Sequence, residues 1–316
     1  MNRLPLFRAS VLSILLATSL LPLAALGQDT APPPTDVPPG PDSTTHSPAS
    51  PDTSISPEHL MPFSGWKVIN LPTGRTLEAG NWLFLISHRF NRPVNVGYSG
   101  FYGLDSGATM YLSLGYAITD RLLATLARSD FEDNVELDVR YGVVHETNPS
   151  WPIGLSVQGA LNWITLDLAG QSRWRSDALT YTIQASITRT VGDRLGIAVV
   201  PGLTLNPDDE LDGEAPLGTL GIGARWKVQE KVAIVGEWTP ILSRPDALVT
   251  DATRYGTWAA GIELTTAGHV FQIVMSNGLG LTTDQYLDGA DLNGNVLDGN
   301  VRLGFNIFRI LDFSKF

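Results

Sequence analysis

Residues 134–144 are NVELDVRYGVV, in which Val135, Leu137, Val139, Tyr141 and Val143 alternate with Glu136, Asp138, Arg140 and Gly142. Successive side chains of a β-strand point to opposite sides, so one face of this segment is apolar and the other charged. A soluble sandwich would bury the apolar face in a dry core. A transmembrane barrel turns it to lipid and keeps the charged face inside. Alternation alone allows both.

The same period recurs to either side. In LTYTIQASITRT (179–190), Tyr181, Ile183, Ala185 and Ile187 oppose Thr182, Gln184, Ser186 and Thr188. In GTLGIGARWKV (218–228), Leu220, Ile222, Ala224 and Trp226 oppose Thr219, Gly221, Gly223, Arg225 and Lys227, and in FQIVMSN (271–277) Phe271, Ile273 and Met275 oppose Gln272, Val274 and Ser276. Polar faces of Arg, Lys, Glu, Gln and Gly suit a wet or hydrogen-bonded lumen better than a dry core. The lumen set expected from this pattern is Glu136, Asp138, Arg140, Gln184, Arg189, Arg225, Lys227, Glu237, Glu263 and Arg302.

Twelve segments qualify as strands, at about 81–90, 108–118, 121–129, 134–146, 152–166, 178–190, 194–206, 216–228, 232–242, 254–266, 269–279 and 300–311. Most reach the ~9 to 11 residues that a tilted strand needs to cross a bilayer. Their connections alternate in length. ITDR, ETNPSW, VGD, QEK and TAGH are short; NRPVNVGYSGFYGLDSG, SDFEDN, LAGQSRWRSDA, NPDDELDGEA, SRPDALVTDATR and LTTDQYLDGADLNGNVLDGN are long. Short turns on one side and long loops on the other are the layout of a bacterial outer-membrane barrel, with the turns in the periplasm. An even strand count returns both chain ends to the turn side. The three-residue QEK loop sets a register that pairs Val228 with Val232, Trp226 with Ile234 and Ile222 with Trp238, all on the apolar face. On the other face Gly223 meets Glu237, one diagonal step from Arg225. Trp163, Tyr181, Trp226, Trp238 and Trp258 are candidates for aromatic girdles at the two membrane interfaces.

Residues 1–27 carry Arg3 and Arg8 around the apolar run VLSILLATSLLPLAAL, ending in Ala25-Leu26-Gly27. The pattern is that of a secretory signal peptide, cleaved before Gln28. Without it the chain has 19 basic and 32 acidic side chains, a surface that repels nucleic acid. The absence of cysteine excludes disulfides, thiolate metal sites, a cysteine nucleophile and a lipoprotein anchor. Residues 28–60 are rich in Pro, Ser, Thr and Asp and are expected to be a disordered tether. Residues 61–316 then form the barrel domain.

The chain ends VRLGFNIFRILDFSKF, with Val301, Leu303, Phe305 and Ile307 alternating with Arg302, Gly304 and Asn306. It looks like the closing strand that barrel-assembly machinery recognises, although LDFSKF breaks the alternation. HRF, then FYGLDSGATMYLSLGYAITDRLLATLARS, GHVFQIVMSNGLG and GFNIFR resemble, in that order from Leu71 to Leu311, the bacterial β-barrel family known as domain of unknown function fifty-seven seventy-seven. The resemblance implies an outer-membrane-type barrel and supplies no activity. Members often have glycine after HRF, where this chain has Asn91.

Of the five histidines only His88 falls at the expected outer rim, near Ser87, Arg89, Asp105, Arg128, Ser129 and Asp130. Those residue types could form a Ser-His-acid constellation, but no G-x-S-x-G element accompanies them. The expected role of His88, Arg89, Asp105, Arg128 and Asp130 is a hydrogen-bond cluster that pins the first long loop, with His88 towards the lumen. The acidic loops DDELDGE and DGADLNGNVLDGN invite calcium, yet glycine is misplaced for an EF-hand turn and no glutamate closes the second loop. No metal and no cofactor are expected.

The resulting expectation is an all-β protein: a Pro/Ser-rich tether followed by a transmembrane antiparallel up-and-down β-barrel of about 12 strands in the outer membrane of a Gram-negative-type bacterium. Its partners are expected to be membrane lipid, the assembly machinery and a small polar solute, with no nucleic acid. A narrow polar channel or transporter, and not an enzyme, is the first reading of its function. A non-conducting scaffold barrel is the alternative, with a rim hydrolase behind it.

Overall fold

The computed structural model describes residues 63–146, 152–166, 172, 174–207, 216–242, 254–266 and 268–311. Twelve strands run as β1 (Trp82–Phe90), β2 (Ala108–Thr119), β3 (Leu122–Ser129), β4 (Asn134–Val144), β5 (Gly154–Ile164), β6 (Leu179–Val191), β7 (Leu195–Leu205), β8 (Leu217–Gln229), β9 (Val232–Thr239), β10 (Thr257–Thr266), β11 (His269–Ser276) and β12 (Arg302–Leu311). Each pairs antiparallel with its neighbours in sequence, and β12 pairs with β1 to close the barrel. Closure leaves no strand edge without a partner. Among the described residues no helix is long and apolar enough to cross a membrane.

Alternation has the physical consequence the sequence implied. Along β4, Asn134, Glu136, Asp138 and Arg140 are buried inside the barrel while Leu137, Val139 and Tyr141 are exposed outside. The exposed side continues through Leu114, Leu126, Ile183, Ile222, Ile234, Ile262 and Ile273. A soluble sandwich would have buried these residues. A continuous apolar belt of this size is unstable in water and calls for an apolar surrounding.

The β8–β9 hairpin pairs Trp226 with Ile234, Ile222 with Trp238 and Gly223 with Glu237. A bulge between Lys227 and Gln229 then makes Gln229, and not Val228, the partner of Val232. The extra residue is absorbed beside the turn, so the register above it is unchanged.

Residues 63–80, which precede β1, form no wall strand. They make a hairpin inside the lumen, with a Lys67–Pro72 bridge, Val68 N–H donating to the Leu71 carbonyl at 2.7 Å and Thr73 N–H to that of Trp66 at 3.1 Å. Ile69 and Asn70 form its tip, and Ser64 and Arg75 lie at the short-turn mouth. Its apolar side chains explain why β1 is apolar on both faces. Leu83 and Leu85 point inward to a cluster with Trp66, Leu77, Tyr111, Leu281 and Phe308, while Trp82, Phe84 and Ile86 point out.

A short helix, α1 (Thr283–Leu287), enters the lumen from the long β11–β12 connection. Thr282 caps it, with Gln285 completing the reciprocal capping box. Tyr286 and Leu287 pack with Phe63, Val68 and Leu71 of the hairpin. The two insertions, one from each end, meet within the barrel.

Candidate functional site

The lumen wall grips the hairpin through buried polar side chains. Glu237 of β9 accepts the backbone N–H groups of Ile69, Asn70 and Leu71 at 2.9 to 3.0 Å. Successive amides converging on one anion form a nest, here filled by a carboxylate from the wall. Hairpin carbonyls accept in turn from Arg140 Nη1 (Trp66, 2.8 Å), Gln272 Nε2 (Val68, 2.7 Å), Asn306 Nδ2 (Ile69, 3.0 Å) and Ser186 Oγ (Pro72, 3.0 Å). Arg89 Nη2 donates to Asn70 Oδ1 at 3.2 Å. Gly221 and Gly223 make room for this contact. A Cβ at Gly223 would lie 2.8 Å from Val68 Cγ2, and one at Gly221 would clash with Leu71.

The remaining lumen residues are placed as follows. Glu136 accepts from Tyr111 Oη at 2.9 Å, from Asn162 Nδ2 at 3.2 Å and from the Thr283 N–H of α1. Gln184 Oε1 accepts from Tyr286 Oη at 3.1 Å. Arg140 also holds Gln158 at 2.8 Å, and Asp138 is buried one pleat away. Arg302, at the long-loop end, makes a two-pronged pair with Asp291 at 2.7 and 2.8 Å. Lys227 is half-buried at the short-turn mouth.

Two expectations need correction. Arg189 is exposed on the outer face of β6, because it shares the parity of Tyr181 and Ile187 and not that of Gln184. Arg225 does not pair with Glu237, whose oxygens the hairpin amides occupy; it binds Glu263 of β10 at 2.6 Å.

The outer-rim set is not one cluster. His88 faces outward, its ring stacked on Phe305 at 4.9 Å and edge-on to Phe90 at 4.7 Å, so it is not a lumen histidine. Arg89, its neighbour, points inward and is fully buried. Asp105 is exposed in the first loop, Arg128 pairs with Asp133 at 2.5 Å, and Asp130 accepts the Met110 N–H at 2.8 Å. The first loop is instead pinned by Asn91 N–H to the Gly107 carbonyl, Arg92 N–H to Ser106 Oγ, and Asn95 Nδ2 to Asn300 Oδ1 at 2.7 Å. Of the acidic loops, DDELDGE lies outside the described residues. In the other, Asp288 binds Arg254 at 2.8 Å and Asp291 binds Arg302.

Asp284 of α1 is buried and accepts from Thr282 Oγ1 and Asn134 Nδ2 at 2.6 Å and from Gln285 N–H at 2.8 Å. Burial raises its pKa to about 7 against the opposing pull of those hydrogen bonds. A folded-state pKa above the unfolded value gives stability that is fully present below the unfolded pKa, near 4, and is lost as pH rises through about 7. Docking of α1 is therefore expected to loosen progressively from about pH 4 to about pH 7, with little further change above that. Hydrogen exchange at Tyr286, corrected for its intrinsic pH dependence, checks this, and Asp284→Asn is expected to flatten the profile.

Residues 63–311 match the family described as a membrane bound beta barrel domain, domain of unknown function fifty-seven seventy-seven. The chain belongs to that family. The match begins at the lumen hairpin, so hairpin and wall fall within one family unit. No curated protein matches the sequence. Among solved structures, an outer membrane channel from Pseudomonas putida F1 is 13% identical, covering 75% of this chain and 97% of that one with a TM-score of 0.46. The NanC porin is 6% identical, covering 72% and 98% with a TM-score of 0.44. Outer membrane phospholipase A from Escherichia coli is 10% identical, covering 73% and 92% with a TM-score of 0.38. For a membrane-bound barrel the exposed belt is the lipid-facing surface, and the exposed Trp226, Trp238 and Tyr181 stand on it.

Proposed function

We propose that the protein is a gated outer-membrane passage for small polar solutes, closed at rest by its own hairpin 63–80 and by α1. One observation carries this reading: the closure is made by inserted segments held to a polar wall through hydrogen bonds. Water can replace each of those bonds when a segment withdraws, because the wall offers carboxylate, guanidinium and amide groups that hydrate well. A barrel closed by interlocked apolar wall side chains would have no such exchange available. The proposal contains no catalytic step, and it leaves His88 as a ring packed on the lipid side with Phe90 and Phe305. In this reading the short turns face the periplasm, the belt meets outer-membrane lipid, and a cleaved signal peptide and the assembly machinery deliver the chain.

Planar-bilayer conductance tests the proposal. The intact protein is expected to be closed most of the time. Replacing residues 64–76 with a Gly-Ser linker is expected to raise the open fraction, and also removing residues 281–298 to give sustained conductance. Heat-dependent gel mobility reports whether each barrel is folded. A folded barrel relieved of both insertions that still passes no ions would establish the scaffold reading instead.

A further inference from the structure

A cavity of about 430 Å³ opens at the short-turn mouth, between the base of the hairpin and the ends of β8 to β12. Four cations line it, Arg75, Arg225, Lys227 and Lys231. Against them stand Glu230 in the lining and Glu263 behind Arg225. The chain as a whole carries a net charge of −11, so a positive surplus gathered in one cavity runs against its composition.

The cations differ in what already holds them. Arg225 is bound to Glu263. Arg75 donates to the Ser64 and Phe63 carbonyls at 2.5 and 3.4 Å and lies over the Trp66 ring at 4.5 Å. Neither Lys227 nor Lys231 has a carboxylate within ion-pair distance among the described residues. Val270 and Ile310 give the cavity an apolar wall, backed by the buried Trp66 and Phe308. Trp66 Nε1 and Thr265 Oγ1, both in the lining, have no hydrogen-bond partner among the described residues.

We propose that this mouth is a binding site for a small organic anion, its carboxylate or phosphate group held by Lys227 and Lys231 and its apolar body set against Val270 and Ile310. The volume lies within the ~300 to 1,000 Å³ usual for small-molecule sites and is too small for a folded partner. Two ammonium groups on flexible stems adapt to either anion without dictating one geometry. The site goes beyond the gating reading, since Lys227 and Lys231 stand on the β8–β9 hairpin of the wall and not on a segment proposed to withdraw.

Calorimetry on the full chain in detergent at low salt tests it, with phenyl phosphate and benzoate as anionic probes, inorganic phosphate as the headgroup alone and benzyl alcohol as the neutral body. Saturable binding is expected for at least one aromatic anion, and whichever binds more tightly identifies the preferred headgroup. Binding is expected to weaken about tenfold in Lys227→Gln and roughly a hundredfold in Lys227→Gln with Lys231→Gln. Neither inorganic phosphate nor benzyl alcohol is expected to match it. Absence of binding by both aromatic anions, an affinity unchanged in the double variant while its barrel keeps heat-dependent mobility, or equal affinity for inorganic phosphate would each overturn the proposal.

Discussion

Glu237→Gln is expected to release the lumen hairpin. The carboxylate is buried and collects the N–H groups of three successive residues, Ile69, Asn70 and Leu71. Hydrogen bonds to a charged group are worth about 1.5 to 3 kcal/mol each, and an amide offers one acceptor oxygen where the carboxylate has two. Its NH₂ would also face N–H groups that it cannot accept. Because the three bonds share one anion they do not add, and a net loss of about 3 to 4 kcal/mol is a reasonable scale. At ~1.4 kcal/mol per factor of ten, the undocked population rises on the order of a hundredfold or more. Amide exchange at residues 69–71 should accelerate by that factor, and under the proposed gating conductance events should become correspondingly more frequent. Unchanged exchange at those three amides would remove Glu237 as the latch.

The same geometry explains why the latch is a wall carboxylate and not a wall cation. The tip of a tight hairpin presents donors, because the N–H groups of its turn residues have no partner within the hairpin itself. The stems present carbonyls, and those of Trp66 and Val68 meet Arg140 and Gln272, while at the tip the one Ile69 carbonyl meets the neutral amide of Asn306. Each strand thus contributes the sign its position against the hairpin demands. A lumen lined with mixed charge, which in an open pore would fix only ion preference, here also determines the depth and register of the inserted segment.

Much of this was legible in the sequence. Period-two alternation from Val135 to Val143 separates the two faces of β4, and the alternation of short and long connections points to the twelve-strand barrel in which the charged face lies inside. The hairpin was not legible as a plug, because residues 63–80 follow a proline-rich stretch and contain no strand-like period. A signal was nonetheless present. WLFLIS in β1 is apolar on both faces, which neither a lipid-facing strand with a wet lumen nor a solvated strand requires. It requires apolar matter on both sides, and PFSGWKVINLPTG just before it is the nearest supply. Arg189 is polar, but its parity along β6 is that of Tyr181 and Ile187, and parity decides its side. A charged His88 would belong in the lumen, but between Phe90 and Phe305 its ring packs outward as an aromatic. Loop-to-loop ties such as Asn95 with Asn300 depend on closure between β1 and β12 and have no local trace.

Breaking the Arg225–Glu263 pair from one side is expected to cost more than removing both charges together. The pair is 2.6 Å apart, with side chains 9% and 2% exposed, and Glu263 also accepts from Gln272 Nε2 at 3.0 Å, which itself donates to the Val68 carbonyl. Removing one member of a buried pair leaves an uncompensated charge, typically a loss of about 3 to 5 kcal/mol, whereas replacing both by uncharged groups of similar shape is often nearly neutral. Arg225→Met and Glu263→Gln should each lower unfolding stability in urea by that order, and the double variant by much less than their sum. The size of the coupling is also a measure of how dry the closed lumen is. If lumen water hydrated the pair at rest, each single change would cost under about 1 kcal/mol, as at an exposed surface. A large coupling in the intact protein that collapses in the barrel with residues 64–76 replaced would mean that the hairpin itself excludes water from the pair. A small coupling in both would mean that the lumen is wet even when occupied, and that the hairpin obstructs the passage without sealing it.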